Sequence, residues 1–310
     1  MDELLYLFKS ARVSQWIKNL AVFAPIVFSG FLFTEGNLTK VSLAFLTFSL
    51  ISSAIYIFND IIDAPKDRHH PFKKKRPIAS GKLSVEMASG WLIILGVAGL
   101  LLASHLGGFF LWSVIAYLGL NVGYTLWWKQ IPILDVLSIA VGFILRVYGG
   151  AFVINVHMDV WFLLTVISLS LFLAVGKRRS EMTLLSGLGK DFEQHRKTLV
   201  HYTPNLLDAY TSMFANTTWL TYTLFTFLHP PFQPEGRVLR LFAYLPRTLI
   251  TTKWLMITVP VVIYGVMRYM LLIYEQNKGE SPHRVLLTDV PLLTAVVIWG
   301  VMVVGILYLI

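Results

Sequence analysis

The sequence predicts an all-α, polytopic membrane protein with nine transmembrane helices. Three observations carry that expectation. Charged residues make up 14% of the 310, against about 25% in a soluble domain. Hydrophobic residues make up 56% and gather into long runs, several reaching the roughly 20 residues that cross a bilayer. Lys and Arg concentrate in alternate connections between those runs, as membrane orientation requires.

The expected spans are 17–34, 40–58, 85–104, 109–128, 133–154, 159–176, 205–228, 254–272 and 289–309. Each is expected to be helical, because a segment in lipid must satisfy its own backbone hydrogen bonds. No fixed-period repeat and no separate soluble stretch is visible, so residues 1–310 are expected to form a single domain.

Lys9, Arg12 and Lys18 precede or enter the first span. Lys66, Arg68, Lys73, Lys74, Lys75, Arg76 and Lys82 follow the second, and Lys177, Arg178, Arg179, Lys190, Arg196 and Lys197 follow the sixth. The connections near 35–40, 105–108 and 155–158 are nearly free of Lys and Arg. By the positive-inside rule the N-terminus is cytoplasmic, and nine spans put the C-terminus outside a cytoplasmic (inner) membrane. One connection disagrees. Arg237, Arg240 and Arg247 fall on the outer side, in "GRVLRLFAYLPRTL", which reads as an interfacial amphipathic helix.

The net charge of +9 is accounted for by this orientation signal, and no nucleic-acid partner is expected. The chain has no cysteine, which excludes disulfides, thiolate metal sites and thiol nucleophiles. The N-terminal "MDELLYLFKSARVSQWIKN" is too charged for a cleavable signal peptide.

"NDIIDAPKDRHHPFKKKRPIASG" follows the second span. Asn59, Asp63 and Asp67 advance by four residues and share a helix face, and Asp60 clusters with the latter two. Pro65 is expected to put the last of them on a bend or a new turn. Three neighbouring carboxylates repel one another unless a cation lies between them, and orientation needs no acid. Clustered oxygen ligands suit a hard cation. Mg²⁺ takes one or two carboxylates together with substrate phosphates and water, and Mn²⁺ is a substitute with similar tastes. His69 and His70 would suggest zinc, but no third nitrogen or sulfur ligand is suitably spaced.

The basic residues divide by position. Lys73 to Arg76 form a solvated run from which Arg76, before Pro77, is expected to point inward. Lys177 and Glu181 in "GKRRSE" stand one turn apart. Arg179 is expected to face solvent. Lys18 in "QWIKN" lies beside Trp16 at the membrane interface. Arg146 is different, because it sits deep in the fifth span. A charge there costs at least about 2.5 kcal/mol, so a functional or cavity-lining role is the default. Tyr148 is a candidate for the same cavity. Mg²⁺ and several cations at one membrane face fit a diphosphate leaving group, and apolar walls fit a lipid.

The acidic stretch resembles the first Asp-rich motif of the UbiA prenyltransferase superfamily. "RVSQWIKNLAVFAPIVFSG", "DRHHPFKKKRP", "LRVYGGAFVINV", "LFLAVGKRRSEM" and "HRKTLVHYTPNLLD" narrow the resemblance to its decaprenyl-phosphate phosphoribosyltransferase branch, over about residues 12–208. The resemblance implies a nine-helix bundle around a central cavity open to the cytoplasm. It implies transfer of 5-phosphoribose from phosphoribosyl pyrophosphate to a polyprenyl phosphate, with release of pyrophosphate. The product of that branch leads toward cell-wall arabinan in actinobacteria. Carried over residue by residue, Asn59, Asp60, Asp63 and Asp67 would hold Mg²⁺, with the three aspartates catalytic. Lys18, Lys73, Arg76, Arg146, Tyr148, Lys177, Arg178 and Glu181 would bind substrate. Membrane lipids are the remaining partners, and the oligomeric state is left open.

One departure from the superfamily matters. Where its prenyltransferases carry a second Asp-rich motif after the sixth span, this chain has "GKRRSE", with Asp191 and Glu193 further on. Basic groups in place of paired acids suit a substrate with more phosphates. They argue against the nearest rival, a prenyl transfer from prenyl diphosphate to an aromatic or quinone acceptor. A transporter would gather its polar residues near the bilayer midplane, whereas here only Arg146 is clearly deep.

Overall fold

The structure, a computed structural model, describes residues 2–69, 73–186, 201–229, 253–275 and 282–309. Its regular elements are all helical among the described residues. The described residues up to His157 form one compact unit. Those from Met158 to Ser186 and from Tyr202 onward form a second.

The first unit begins with α1 (Asp2–Ala11), a 3₁₀ segment (Val13–Phe23) and α2 (Ala24–Phe28). Then come α3 (Asn37–Asp67), α4 (Val85–Leu106), α5 (Gly108–Leu126) and α6 (Leu134–Ile154). The second unit holds α7 (Val160–Ser186), α8 (Pro204–Leu228), α9 (Val259–Tyr274), α10 (Pro282–Thr288) and α11 (Val290–Tyr308).

Seven of the nine expected spans correspond to helices long and apolar enough to cross a bilayer, among the described residues. The chain is a multi-pass membrane protein. The other two expected spans differ in kind. The first is the shorter apolar segment Val13–Phe28, most of it 3₁₀. The seventh is α8, whose threonines lower its apolarity on paper. Its Thr211, Thr217, Thr218, Thr221 and Thr223 each donate to the carbonyl four residues back, at 2.7–2.8 Å. A hydroxyl satisfied within its own helix presents mainly its methyl group to the surroundings.

α3 is the core of the first unit. Phe48 meets Phe110 and Tyr117 edge-on, and Ile51, Val114 and Val22 are fully buried beside them. Gly149 and Gly150 make α6 smooth where it crosses this core. A β-carbon on Gly149 would overlap the Phe48 ring, and one on Gly150 would overlap the Val22 carbonyl. α4, by contrast, exposes Ile93, Ile94, Val97 and Leu101, as a lipid-facing helix does.

A 3₁₀ run of 11 residues is long, since runs beyond three or four are uncommon. Side chains hold this one. With three residues per turn, Trp16, Asn19 and Val22 stack in single file. Trp16 donates to Ser53 at 3.0 Å, and Asn19 donates to Ser49 at 3.0 Å and Ser52 at 3.2 Å. Those serines share one face of α3, and Val22 lies against Gly150.

α3 continues through Pro65 to Asp67, so Asp67 ends the same helix and does not start a new turn. Pro65 has no N–H to give the Ile61 carbonyl, and the helix runs only two residues beyond it. The expected interfacial helix over 236–249, together with His70, Asp191 and Glu193, lies outside the described residues.

The second unit packs Phe172, Ala215, Tyr269, Leu272 and Ile273 into a common core. Tyr222 joins Thr258 at 2.6 Å and accepts from Trp299 at 2.8 Å. Asp289 caps α11 by accepting from Leu292 N at 2.9 Å, and Arg268 grips both its oxygens.

Candidate active site

The C-terminal end of α3 carries the acidic motif on one continuous helix. At 100° per residue, Asp60, Asp63 and Asp67 fall within about 60° of one another, with Asn59 a further 40° round. Asp60 and Asp67 are buried, at 2% and 4% exposed.

Each carboxylate has a cationic partner. Arg12 Nη2 meets Asp60 Oδ1 at 2.5 Å, and Arg76 Nη1 meets the same oxygen at 3.1 Å. Arg76 Nη1 also donates to Asp67 Oδ2 at 2.6 Å. Lys129 Nζ donates to Asp63 Oδ1 at 2.6 Å.

Local structure explains how Arg76 arrives there. Lys73–Lys75 form a 3₁₀ turn, and Arg76 N donates to the Lys73 carbonyl at 2.9 Å. Gly81 supplies a left-handed turn at φ 74°, which favours glycine. Ile78 and Leu83 anchor the loop in a cluster with Leu7, Ile57 and Ala64. Arg76 therefore points inward, as its place before Pro77 suggested, while Lys74 and Lys75 are exposed. Lys73 is half-buried, near enough to Asp67 to act on its charge.

The site fits a hard cation in donor chemistry. Its ligands would all be oxygen, and Asn59 Oδ1 is buried without a hydrogen-bond partner among the described residues. The three carboxylates turn toward their basic partners, and no three acidic or histidine side chains form a ready-made chelate among the described residues. His69 is exposed, in keeping with a solvated role.

Arg146 is 5% exposed and is held by neutral groups. Nε donates to Asn19 Oδ1 at 2.7 Å, Nη1 to the Gly142 carbonyl at 3.0 Å, and Nη2 to the Tyr117 hydroxyl at 2.5 Å. Its guanidinium also lies 4.6 Å from the Tyr117 ring centroid. Tyr148, about 200° round α6 from Arg146, stacks on Phe152 instead. Lys18 donates to Gln15 at 2.9 Å.

In the second unit, Arg178 is fully buried and donates to Glu181 at 2.8 Å, and Lys177 stands 3.6 Å from the same carboxylate. Arg179 does not face solvent freely. It pairs with Asp208 at 2.6 Å and Thr183 at 2.5 Å, joining α7 to α8. The reason is helical geometry, since one residue's step from Arg178 turns its side chain toward α8.

Three residues that sequence reasoning passed over as site residues are Arg12, Lys129 and Asn19. Arg12 read only as an orientation signal, and Lys129 lies 66 residues from its partner. The signal for Asn19 was the stripe Ser49, Ser52, Ser53, whose hydroxyl oxygens offer acceptors on one face of α3.

The UbiA prenyltransferase family model matches residues 22–290, which runs across both units. A decaprenyl-phosphate phosphoribosyltransferase from Corynebacterium glutamicum is 37% identical over 225 residues, 71% of this chain and 66% of that protein. One from Mycolicibacterium smegmatis is 35% identical over 225 residues, 71% of this chain and 70% of that protein. The chain thus spans about two thirds of the length of these curated relatives. A solved UbiA homolog from Archaeoglobus fulgidus, bound to GPP and Mg²⁺, matches with a TM-score of 0.68 over 96% of each chain. At 17% identity that likeness speaks for the fold.

Proposed function

The chain belongs to the UbiA prenyltransferase family, and from that premise we propose that it transfers 5-phosphoribose from phosphoribosyl pyrophosphate to a polyprenyl phosphate of decaprenyl type. Pyrophosphate is released, and Mg²⁺, or Mn²⁺ in its place, is required. Identities of 37% and 35% to decaprenyl-phosphate phosphoribosyltransferases support this reading. The observation that carries it is the end of α7. There a buried Arg178 and Lys177 surround Glu181, where a prenyl diphosphate site would call for paired acids.

In this reading Asn59, Asp60, Asp63 and Asp67 hold Mg²⁺, which when bound shields charge on the departing pyrophosphate. Lys73 and Arg76 bind the phosphates of that leaving group. Lys177 and Arg178 take further phosphate oxygens, with Glu181 orienting them. Lys18 and Arg146 serve a phosphate nearer the membrane. The stack of Tyr148, Phe152 and Phe109 offers an apolar wall to the lipid chain.

The chemistry is displacement at the ribose anomeric carbon. An oxygen of the lipid phosphate bonds to C1 as the C1–O bond to pyrophosphate breaks, and the electron pair leaves with pyrophosphate. The attacking phosphate is already an oxyanion, so no general base is needed. Positioning and charge placement supply the rate. The soluble, highly charged donor calls for an opening to the cytoplasm, with the N-terminus cytoplasmic and the C-terminus outside the inner membrane.

The test offers purified protein in lipid two substrate pairs. One is labelled phosphoribosyl pyrophosphate with polyprenyl phosphate. The other is a prenyl diphosphate with 4-hydroxybenzoate. Label passing to lipid in the first pair alone is the expected result. Product from the second pair alone would replace this reading with aromatic prenyl transfer.

A further inference from the structure

We propose that Arg12 and Lys129 are resident counter-ions of the acidic motif, which hold Asp60 and Asp63 until a divalent cation and a diphosphate arrive together. The proposal deepens the metal–diphosphate reading of this site and rests on it.

The first observation is charge balance. Asp60, Asp63 and Asp67 face Arg12, Lys129 and Arg76, three acids against three bases, at 2.5–3.1 Å. Asp60 is nearly inaccessible to water, so unbalanced charge there is costly. A divalent ion arriving alone would add two positive charges to acids already matched by bases, with Lys73 a further cation beside Asp67. A diphosphate arriving alone would meet bases already engaged. Arriving together, they allow an exchange of partners. The carboxylates turn to the metal, the bases turn to phosphate oxygens, and the cluster stays near neutral.

The second observation is how Arg12 is mounted. Its backbone is left-handed at φ 51°, a conformation non-glycine residues seldom adopt. That turn starts the 3₁₀ segment, which the Trp16, Asn19 and Val22 file fixes to α3 and α6. Arg12 is thus aimed at Asp60 by the fold and not by chance contact. Its guanidinium lies 5.0 Å from the centre of the Tyr56 ring, one turn before Asp60 on α3. A cation over an aromatic face keeps a stabilising contact when its carboxylate leaves. Lys129 sits on the short 3₁₀ turn Trp128–Gln130 after α5, a separate mount for the second exchange.

Coupling between ligands is reciprocal, so it can be read from either side. Full-length protein in detergent would be dialysed to equilibrium against Mn²⁺, against labelled inorganic pyrophosphate, and against both, with protein-bound amounts counted. In the wild type each should raise the affinity for the other by about tenfold or more. Arg12→Gln and Lys129→Gln should each bind Mn²⁺ alone more tightly, by about fivefold or more, and show weaker coupling.

Wild-type protein that binds the pair with no mutual enhancement would overturn the counter-ion proposal and leave the metal–diphosphate site standing. So would two variants, both eluting and melting as the wild type does, whose Mn²⁺ affinity is unchanged. Wild-type protein that retains neither ligand even when both are present would overturn the metal–diphosphate reading and this proposal together.

Discussion

Gly150 on α6 lies so close to the carbonyl of Val22 that a β-carbon would overlap it. That contact seats the 3₁₀ segment, and the segment carries Arg12 to Asp60. Gly150→Ala should therefore act at a distance. Overpacking of this kind costs about 1–3 kcal/mol. A thermal melt should show lowered stability, and the residual folded protein should show lowered turnover. An unchanged melt with full activity would mean the segment does not need this seat.

Chelation comes next. EDTA should abolish transfer and added Mg²⁺ or Mn²⁺ should restore it, because an oxygen-only site with a diphosphate needs a hard cation. Asp63→Asn should lower kcat by about a hundredfold while the protein elutes as a folded species. It removes a carboxylate that is partly exposed, so folding should survive. Full activity of this variant in excess chelator would remove the metal assignment.

Lys177→Ala and Arg178→Ala should each raise the donor KM or lower kcat by about tenfold or more. Arg178→Ala should also lower stability, since it leaves Glu181 without its buried partner. Arg179→Ala should behave differently. Its pair with Asp208 joins two helices, so the melting temperature should fall while KM holds. Wild-type kinetics in both Lys177→Ala and Arg178→Ala would reduce the motif to an orientation signal.

Topology can be read with a single label, because the chain has no cysteine. Lys74 is exposed, and Lys74→Cys should react with an impermeant maleimide only in inverted vesicles or broken cells. Reaction in intact cells would invert the assigned orientation.

The membrane class, the placement of helices and the acidic face of α3 were all legible, because each rests on local period or composition. Arg76 was separable from Lys74 and Lys75 because Pro77 fixes the chain beside it. What sequence could not give were pairings across distance. Lys129 on Asp63 and Arg146 on Asn19 join segments 66 and 127 residues apart. The period of three in Trp16, Asn19 and Val22 was hidden too, since an apolar run in lipid reads as an α-helix by default. Arg179 was misjudged because its partner, Asp208, belongs to another helix.

Arg146 has one consequence for how the protein is made. Its cationic head is received by Asn19 on the 3₁₀ segment and Tyr117 on α5, with no acid among its described partners. During synthesis α6 meets the membrane as a span with a naked charge, penalised by at least about 2.5 kcal/mol. The groups that receive this charge are synthesised earlier, so they can already be waiting when α6 leaves the ribosome. Insertion of α6 then depends on its predecessors, and a chain lacking its first 23 residues would leave Nε of Arg146 without its Asn19 acceptor in hydrocarbon, with only Tyr117 and the Gly142 carbonyl to hold the charge. Such a truncation would register in the cell as failed integration and degradation, before any question of catalysis arose.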